Sequence, residues 1–237
     1  MQFQNVRRRK VHEDVALQIE EAIILGTLVE GENLPSERDL MESFAVGRPA
    51  IREALLLLER TGFLQLSTGG RARITRPTIT VLVDQLSGSA KHLMASPKGE
   101  QAFQEARRVF EAAIARNAAE IATDADLARL GAALEVNRAA MGDMAEFQRT
   151  DVAFHLVLAE IGTNPVFGAL HGAIAGWLSL QRKVSLRVEG AAARALASHQ
   201  SIYEAVAQRA PERAWAAMDT HLRQVMLQYE KGKEAPP

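Results

Sequence analysis

The chain has 237 residues, 47% of them apolar and 24% charged, with a formal net charge of −1 and no cysteine. That length accommodates two small domains with an ample core, and the lack of cysteine excludes disulfides and thiolate metal sites and fits a cytoplasmic protein. A net charge so close to zero gives no general attraction for nucleic acid, so any such affinity must come from the distribution of charge.

The chain opens with the basic run Arg7-Arg8-Arg9-Lys10. No apolar region follows it and no apolar stretch is long enough to span a bilayer, so neither a signal peptide nor a transmembrane helix is expected. Such a run is a solvated arm in the free protein that can lie along a DNA backbone or in the minor groove. From His12 to Leu25, Ala16, Ile19 and Ile23 recur at helical spacing and Gly26 closes the segment, which predicts a supporting helix in which His12 has no special role.

Leu34 to Phe63 predicts two short helices joined by a tight turn. Ser36 stands as an N-cap with Asp39 three residues on, and Leu40 and Phe44 share one face before Ala45-Val46-Gly47 breaks the helix. A second helix starts at Arg48 with Pro49 in its first turn; Ile51, Ala54, Leu55 and Leu58 form its apolar face, and Gly62 stops it. Arg48 and Arg52 project from its N-terminal half, the end a helix-turn-helix presents to the major groove. The pattern alone also fits an αα-hairpin in a helical core. The next residues favour DNA binding, because Leu64–Ser67, Thr68-Gly69-Gly70 and Arg71–Ile74 read as strand, turn and strand. Leu64, Leu66, Ala72 and Ile74 then face inward and Arg71 and Arg73 outward, with Arg76 just beyond, which places cationic charge where phosphates would lie.

The segments LPSERDL, VGRPAIREALLLLERTGFL and TGGRARI resemble the winged helix-turn-helix of the GntR family of bacterial transcriptional regulators, over roughly residues 11–76. The resemblance implies operator contacts at Arg38, Arg48, Arg52 and Gly69, beside the wing arginines Arg71 and Arg73. Gly47 stands where the family commonly begins the recognition helix with serine, so that hydroxyl's phosphate contact has no counterpart in this chain.

Arg76-Pro77-Thr78 marks a domain boundary, after which helical periodicity persists almost to the end. Helices are expected at 80–95, 101–122, 125–141, 144–161, 165–187, 191–208 and 212–230, with Ser96-Pro97, Asn164-Pro165 and Ala210-Pro211 among the breaks. The expected organisation is a basic arm at 1–10, a winged helix-turn-helix at 11–76, an all-helical effector-binding and dimerisation domain at 77–230, and a polar tail at 231–237. The fold class is mainly α, with one small β-hairpin wing ahead of a six- or seven-helix bundle.

Asp151 and His155 are spaced i and i+4 in TDVAFHLVLAEI, and His199 and His221 border the apolar stripes of two later helices. Taken singly, each is more often a hydrogen-bonded or half-buried polar residue than a ligand. Together, three imidazoles and one carboxylate without sulfur suit a divalent cation, Zn²⁺ first and Ni²⁺ or Mn²⁺ as alternatives, with coordination positions left open.

This part of the chain resembles the FCD ligand-binding domain of the FadR-type branch of the same family. The resemblance implies Asp151, His155, His199 and His221 as the metal set, and an arginine–glutamate helix at Arg107 and Glu111. VGRPAIREAL, GGRARITRP, QLSGSAK and TDVAFHLVLAEIGTNP are further similar to sialic-acid-responsive members, which implies a repressor with a small carboxylate effector such as the sugar acid N-acetylneuraminate. Arg107 would pair with its carboxylate, with Gln181 and Arg182 as further effector contacts. A homodimer is expected because one winged helix reads too few base pairs, and Leu82, Leu86, Ala173 and Trp177 are candidate bundle or dimer contacts. Two alternatives stand beside this reading: a metalloenzyme with a fused DNA-binding module, for which no HExxH, nucleophile elbow or phosphate loop is present, and a bundle that serves only for dimerisation.

Overall fold

The computed structural model describes residues 10–67 and 71–234, and the chain divides into two compact units, Met1–Gln85 and Leu86–Pro237. The basic run Arg7–Arg9 and the wing-tip glycine Gly69 lie outside the described residues.

The first unit is built on α1 (Val11–Ile24), α2 (Glu37–Phe44) and α3 (Arg48–Arg60), followed by β1 (Leu64–Gln65) and β2 (Arg73–Ile74). Ser36 and Asp39 form the expected capping box, each side chain accepting from the other's backbone N–H. Ala45 ends α2 in the left-handed region at φ +52°, a conformation that costs an alanine on the order of 1 kcal/mol and gives the turn its sharp reversal. Ile19 and Ile23 of α1 then pack against Leu40 of α2 and Ile51, Ala54 and Leu58 of α3. Gly62 closes α3 at φ +83°, where a Cβ would also meet Val81 Cγ1 at 2.9 Å, so the residue type is required twice over.

The wing is shorter than expected and has an extra edge. Among the described residues strand pairing is confined to Leu64 with Ile74 and Gln65 with Arg73, while Asn33 bridges to Arg73 from the loop before α2. Gly31 N–H donates to Ile74 O, Ile74 N–H to Glu32 O and Leu34 N–H to Ala72 O. Sequence alternation could not show this third edge, because the segment EGEN holds no apolar residue and only the buried Leu34 anchors it.

The helix α4 (Ile79–Met94) runs across the division between the units. The second unit continues through α5 (Pro97–Ile121), α6 (Asp124–Ala139), a short 3₁₀ turn (Ala140–Gly142), α7 (Met144–Glu160), α8 (Pro165–Trp177), α9 (Ser179–Leu186), α10 (Ala191–Ala207) and α11 (Pro211–Glu234). α5 buries the small residues Ala112, Ala115, Ala118 and Ala119, against which Leu134 of α6, Phe154 and Leu158 of α7, Ile202 of α10 and Met218 and Leu222 of α11 pack. Small side chains on one helix let its neighbours approach closely. Among the described residues no helix is long and apolar enough to cross a membrane.

Two expectations are corrected here. The single helix expected at 165–187 is two helices, since the backbone leaves the helical region at Leu178 (φ −92°, ψ 19°). Gly176 is the nearest sequence cue, and the periodicity on either side hides the break. The last helix runs past 230 to Glu234, because Gly232 sits so close to α9 that a Cβ there would stand 2.5 Å from Val184 O. Both features shape the site, for α9 carries Gln181 and Arg182.

Candidate functional site

On the first unit, Arg38, Arg48, Arg52, Arg71 and Arg73 are all exposed. Glu37, the first residue of α2, stands between the two recognition-helix arginines, with its carboxylate 3.3 Å from Arg48 Nε and 3.8 Å from Arg52 Nε. Arg38 lies 4.0 Å from both Asp39 and Glu42. Exposed pairs of this kind contribute about 0–1 kcal/mol, so phosphates and base edges can recruit these arginines at little cost. The wing arginines differ: Arg73 donates from Nε to Gly31 O at 3.2 Å, and Arg76 pairs with Glu30 at 3.6 Å. His12, given no role from sequence, lies with Nδ1 2.7 Å from Glu53 of α3.

On the second unit, α7, α10 and α11 bring together Asp151, His155, His199 and His221, whose ligating atoms all lie within 4.8 Å of one another and which are all buried. His155 Nε2 and His199 Nε2 face each other at 3.2 Å, and Asp151 Oδ1 is 3.4 Å from His199 Nε2. Ligands on a cation about 2.0–2.2 Å away stand roughly 3–4 Å apart, so these separations suit a shared ion.

The tautomers point the same way. Asn137 commits its NH₂ to Thr150 Oγ1 (2.9 Å) and Phe147 O (3.2 Å), so its Oδ1, 2.9 Å from His199 Nδ1, must accept. Glu111 Oε2, which can only accept while ionised, is 2.5 Å from His155 Nδ1. His199 Nδ1 therefore carries the proton, and His199 Nε2 presents a bare lone pair toward His155 Nε2. A lone pair so placed, 3.2 Å from a second imidazole nitrogen, can ligate a cation, and outer partners such as Asn137 are what hold a ligating imidazole in register. Burial pushes the His199 imidazole down to about 3 and His221 well below its ordinary value, so both are neutral and able to ligate at physiological pH.

The predicted effector residues surround this cluster. Arg107 pairs with Glu111 at 2.7 Å, and Arg182 lies 3.2 Å from Asp151 Oδ2 and donates to Ala175 O at 3.2 Å. Both guanidiniums are buried. Burial pushes the Glu111 carboxyl up, but Arg107 beside it and the adjacent histidines more than reverse this and leave it well below the carboxylate range. Gln181 donates to Glu100 at 2.8 Å, farther from the histidines.

Sequence reasoning missed two residues, His171 and Asn137. His171 of α8 is 1% exposed with neither ring nitrogen bonded, and burial pushes it down to about 4. It forms a second cluster with His155 and Glu111, while Glu111 and Asn137 orient His155 and His199. His171 sits in the apolar run GALHGAI without a spaced partner, and Asn137 is 62 residues from the histidine it orients, so neither left a sequence signal.

Comparison with known proteins gives this geometry its context. Residues 11–74 match the bacterial regulatory proteins of the gntR family, and residues 103–224 match the FCD domain. The chain is 42% identical over 225 residues to the HTH-type transcriptional repressor NanR of Cronobacter sakazakii, covering 94% of this chain and 86% of that one. It is 43% identical over 220 residues to the protein of the same name from Citrobacter rodentium, covering 92% and 85%. The chain belongs to the GntR family. Within that family it combines the winged helix-turn-helix with an FCD domain, and such proteins are DNA-binding transcriptional regulators rather than enzymes, so the metalloenzyme alternative lapses. The fold agrees with that of Streptococcus agalactiae GntR at a TM-score of 0.64 and 24% identity, covering 94% of this chain and all of that one.

For this GntR regulator the arginines on the first unit divide by expected effect. Arg52→Ala should weaken operator binding by about 1–3 kcal/mol and relax sequence preference, whereas Arg71→Ala should weaken binding to all sequences and flatten the salt dependence. Fluorescence anisotropy on specific and scrambled duplexes at several salt concentrations separates the two, and unchanged affinity in both folded variants would contradict the assigned DNA face.

Proposed function

We propose that the chain is a cytoplasmic, homodimeric repressor whose FCD domain holds a divalent cation on Asp151, His155, His199 and His221 and senses a small carboxylate, with Zn²⁺ the first choice of metal and Ni²⁺ or Mn²⁺ the alternatives. The observation that carries this reading is the charge balance of the buried centre. Asp151 and Glu111 are offset by Arg182 and Arg107, and the imidazoles of His199, His221 and His171 are held neutral. A divalent cation added there brings two uncompensated positive charges into a buried space, where uncompensated charge is expensive. An anionic ligand on the open coordination positions offsets them, with Arg107 and Arg182 close to receive a carboxylate.

A sugar acid such as N-acetylneuraminate is the favoured effector, on the resemblance of VGRPAIREAL, GGRARITRP, QLSGSAK and TDVAFHLVLAEIGTNP to sialic-acid-responsive members of the family. Metal analysis of the purified protein together with a thermal-shift screen of sugar acids and other carboxylates tests the reading. A binder of the folded state raises the melting temperature with dose, by about 2.7 kcal/mol of added stability at a hundredfold excess over Kd. Metal-free protein with no shift for any carboxylate would contradict it.

The same buried histidines set a pH dependence. Their folded-state values lie below 6.5, so in acid the unfolded chain binds protons that the folded one refuses, and stability falls as pH falls. The metal-free protein should lose up to about 1.4 kcal/mol per pH unit for each such histidine between 6.5 and about 4. Urea unfolding across that range checks this, and a flat profile would mean that the imidazoles are not buried in neutral form.

A further inference from the structure

Between α5, α9 and α11 lies a small enclosed cavity bordered by Gln104, Arg107, Gln181, Arg182, Leu222 and Tyr229. Its volume of about 20 Å³ is room for roughly one water, so a larger ligand enters only if the wall separates. Arg107 and Arg182 make its cationic end. Glu100, one turn before Gln104 on α5 and half-buried, stands behind the lining residues Gln181 and Tyr229 and joins the three helices: it accepts from Gln181 Nε2 at 2.8 Å and from the Tyr229 hydroxyl. The Tyr229 phenol, pushed up by burial and by Glu100, remains a donor. Gln181 gives one amide N–H to Glu100, and its Oε1 is buried without a partner. The nearby ammonium of Lys233 is engaged by Glu230 at 2.8 Å.

Part of the cavity wall therefore offers cations, and the part formed by Gln181 and Tyr229 offers an orphaned carbonyl oxygen with the Glu100 carboxylate behind it, both acceptors. Building on the effector reading above, we propose that Glu100, with Gln181 Oε1, makes that part of the wall a specificity element that selects monocarboxylates bearing hydroxyl or amide N–H donors and rejects dicarboxylates. A ligand whose carboxylate lies toward Arg107 and Arg182 presents its far groups to Glu100. Hydroxyl or amide N–H groups there replace the donors that Tyr229 and Gln181 now supply and can satisfy the orphaned oxygen. A second carboxylate would face Glu100 as a like charge and the Gln181 Oε1 as a further acceptor, which disfavours it there.

The test is calorimetric titration of the zinc-loaded full chain with N-acetylneuraminate, D-gluconate and D-glucarate; the last two share a carbon skeleton and differ in the second carboxylate. The wild type should bind the monoacids at least about tenfold more tightly than glucarate, and Glu100→Gln, which keeps the shape and removes the charge, should narrow that gap to about threefold or less. Equal affinities for gluconate and glucarate in the wild type overturn the selection without any variant being needed. A gap that persists unchanged in a folded Glu100→Gln protein also overturns it, and in both cases carboxylate sensing stands. Failure of all three acids to bind instead removes the sensing reading, and this inference with it.

Discussion

His155→Ala and His221→Ala are each expected to strip the bundle of its metal and lower its melting temperature. Either change would open the shell around the proposed cation, whose other candidate ligands are buried, and binding free energy in such a site is also folding free energy. At a metal concentration a hundred times Kd the loss amounts to about 2.7 kcal/mol. His92→Ala is the control, because His92 is exposed on α4 and stands apart from both histidine clusters. Elemental analysis of the three purified variants, with melting curves before and after chelation, measures the effect. Equal metal content in all three would mean that these histidines hold no ion.

Arg107→Ala is expected to destabilise the second unit by about 3–5 kcal/mol, because it leaves Glu111 ionised, buried and without its counterion. From sequence, this arginine reads as a free cation waiting for an acidic ligand. Its 2.7 Å contact with Glu111 gives it a structural task as well, so effector loss in Arg107→Ala cannot be separated from loss of fold. Arg107→Met combined with Glu111→Gln removes both charges together and should recover most of the stability while still losing carboxylate affinity. Urea unfolding of the single and double variants decides the matter; a single variant within about 0.5 kcal/mol of the wild type would show that the pair does not stabilise the bundle.

What the sequence showed of this molecule depended on how local each feature is. Ser36 and Asp39, Pro49 and the apolar spacing of α3 report interactions within a few residues, and they placed the helix-turn-helix. Asp151 and His155 were visible for the same reason, being one helical turn apart. Bringing His199 and His221 to that pair depended on family likeness, since helical spacing says which face a residue occupies and not which helix it meets. The third edge of the wing left no trace because its backbone does the pairing while its side chains are polar or absent. Glu100 falls in the same class: its partners lie 81 and 129 residues away, and nothing in SPKGE marks it as more than a solvated first-turn glutamate.

Metal, carboxylate and operator are proposed to be coupled through one protein. A ligand shifts a conformational equilibrium only by its differential affinity for the two states, so a repressor's effector must bind the DNA-free arrangement more tightly than the DNA-bound one. Operator affinity of the zinc-loaded protein, titrated with and without N-acetylneuraminate, measures that coupling directly. A fall of about 5–150-fold is expected at saturating sugar acid, absent in the His155→Ala variant. Operator affinity that stays constant while the sugar acid demonstrably binds would contradict it.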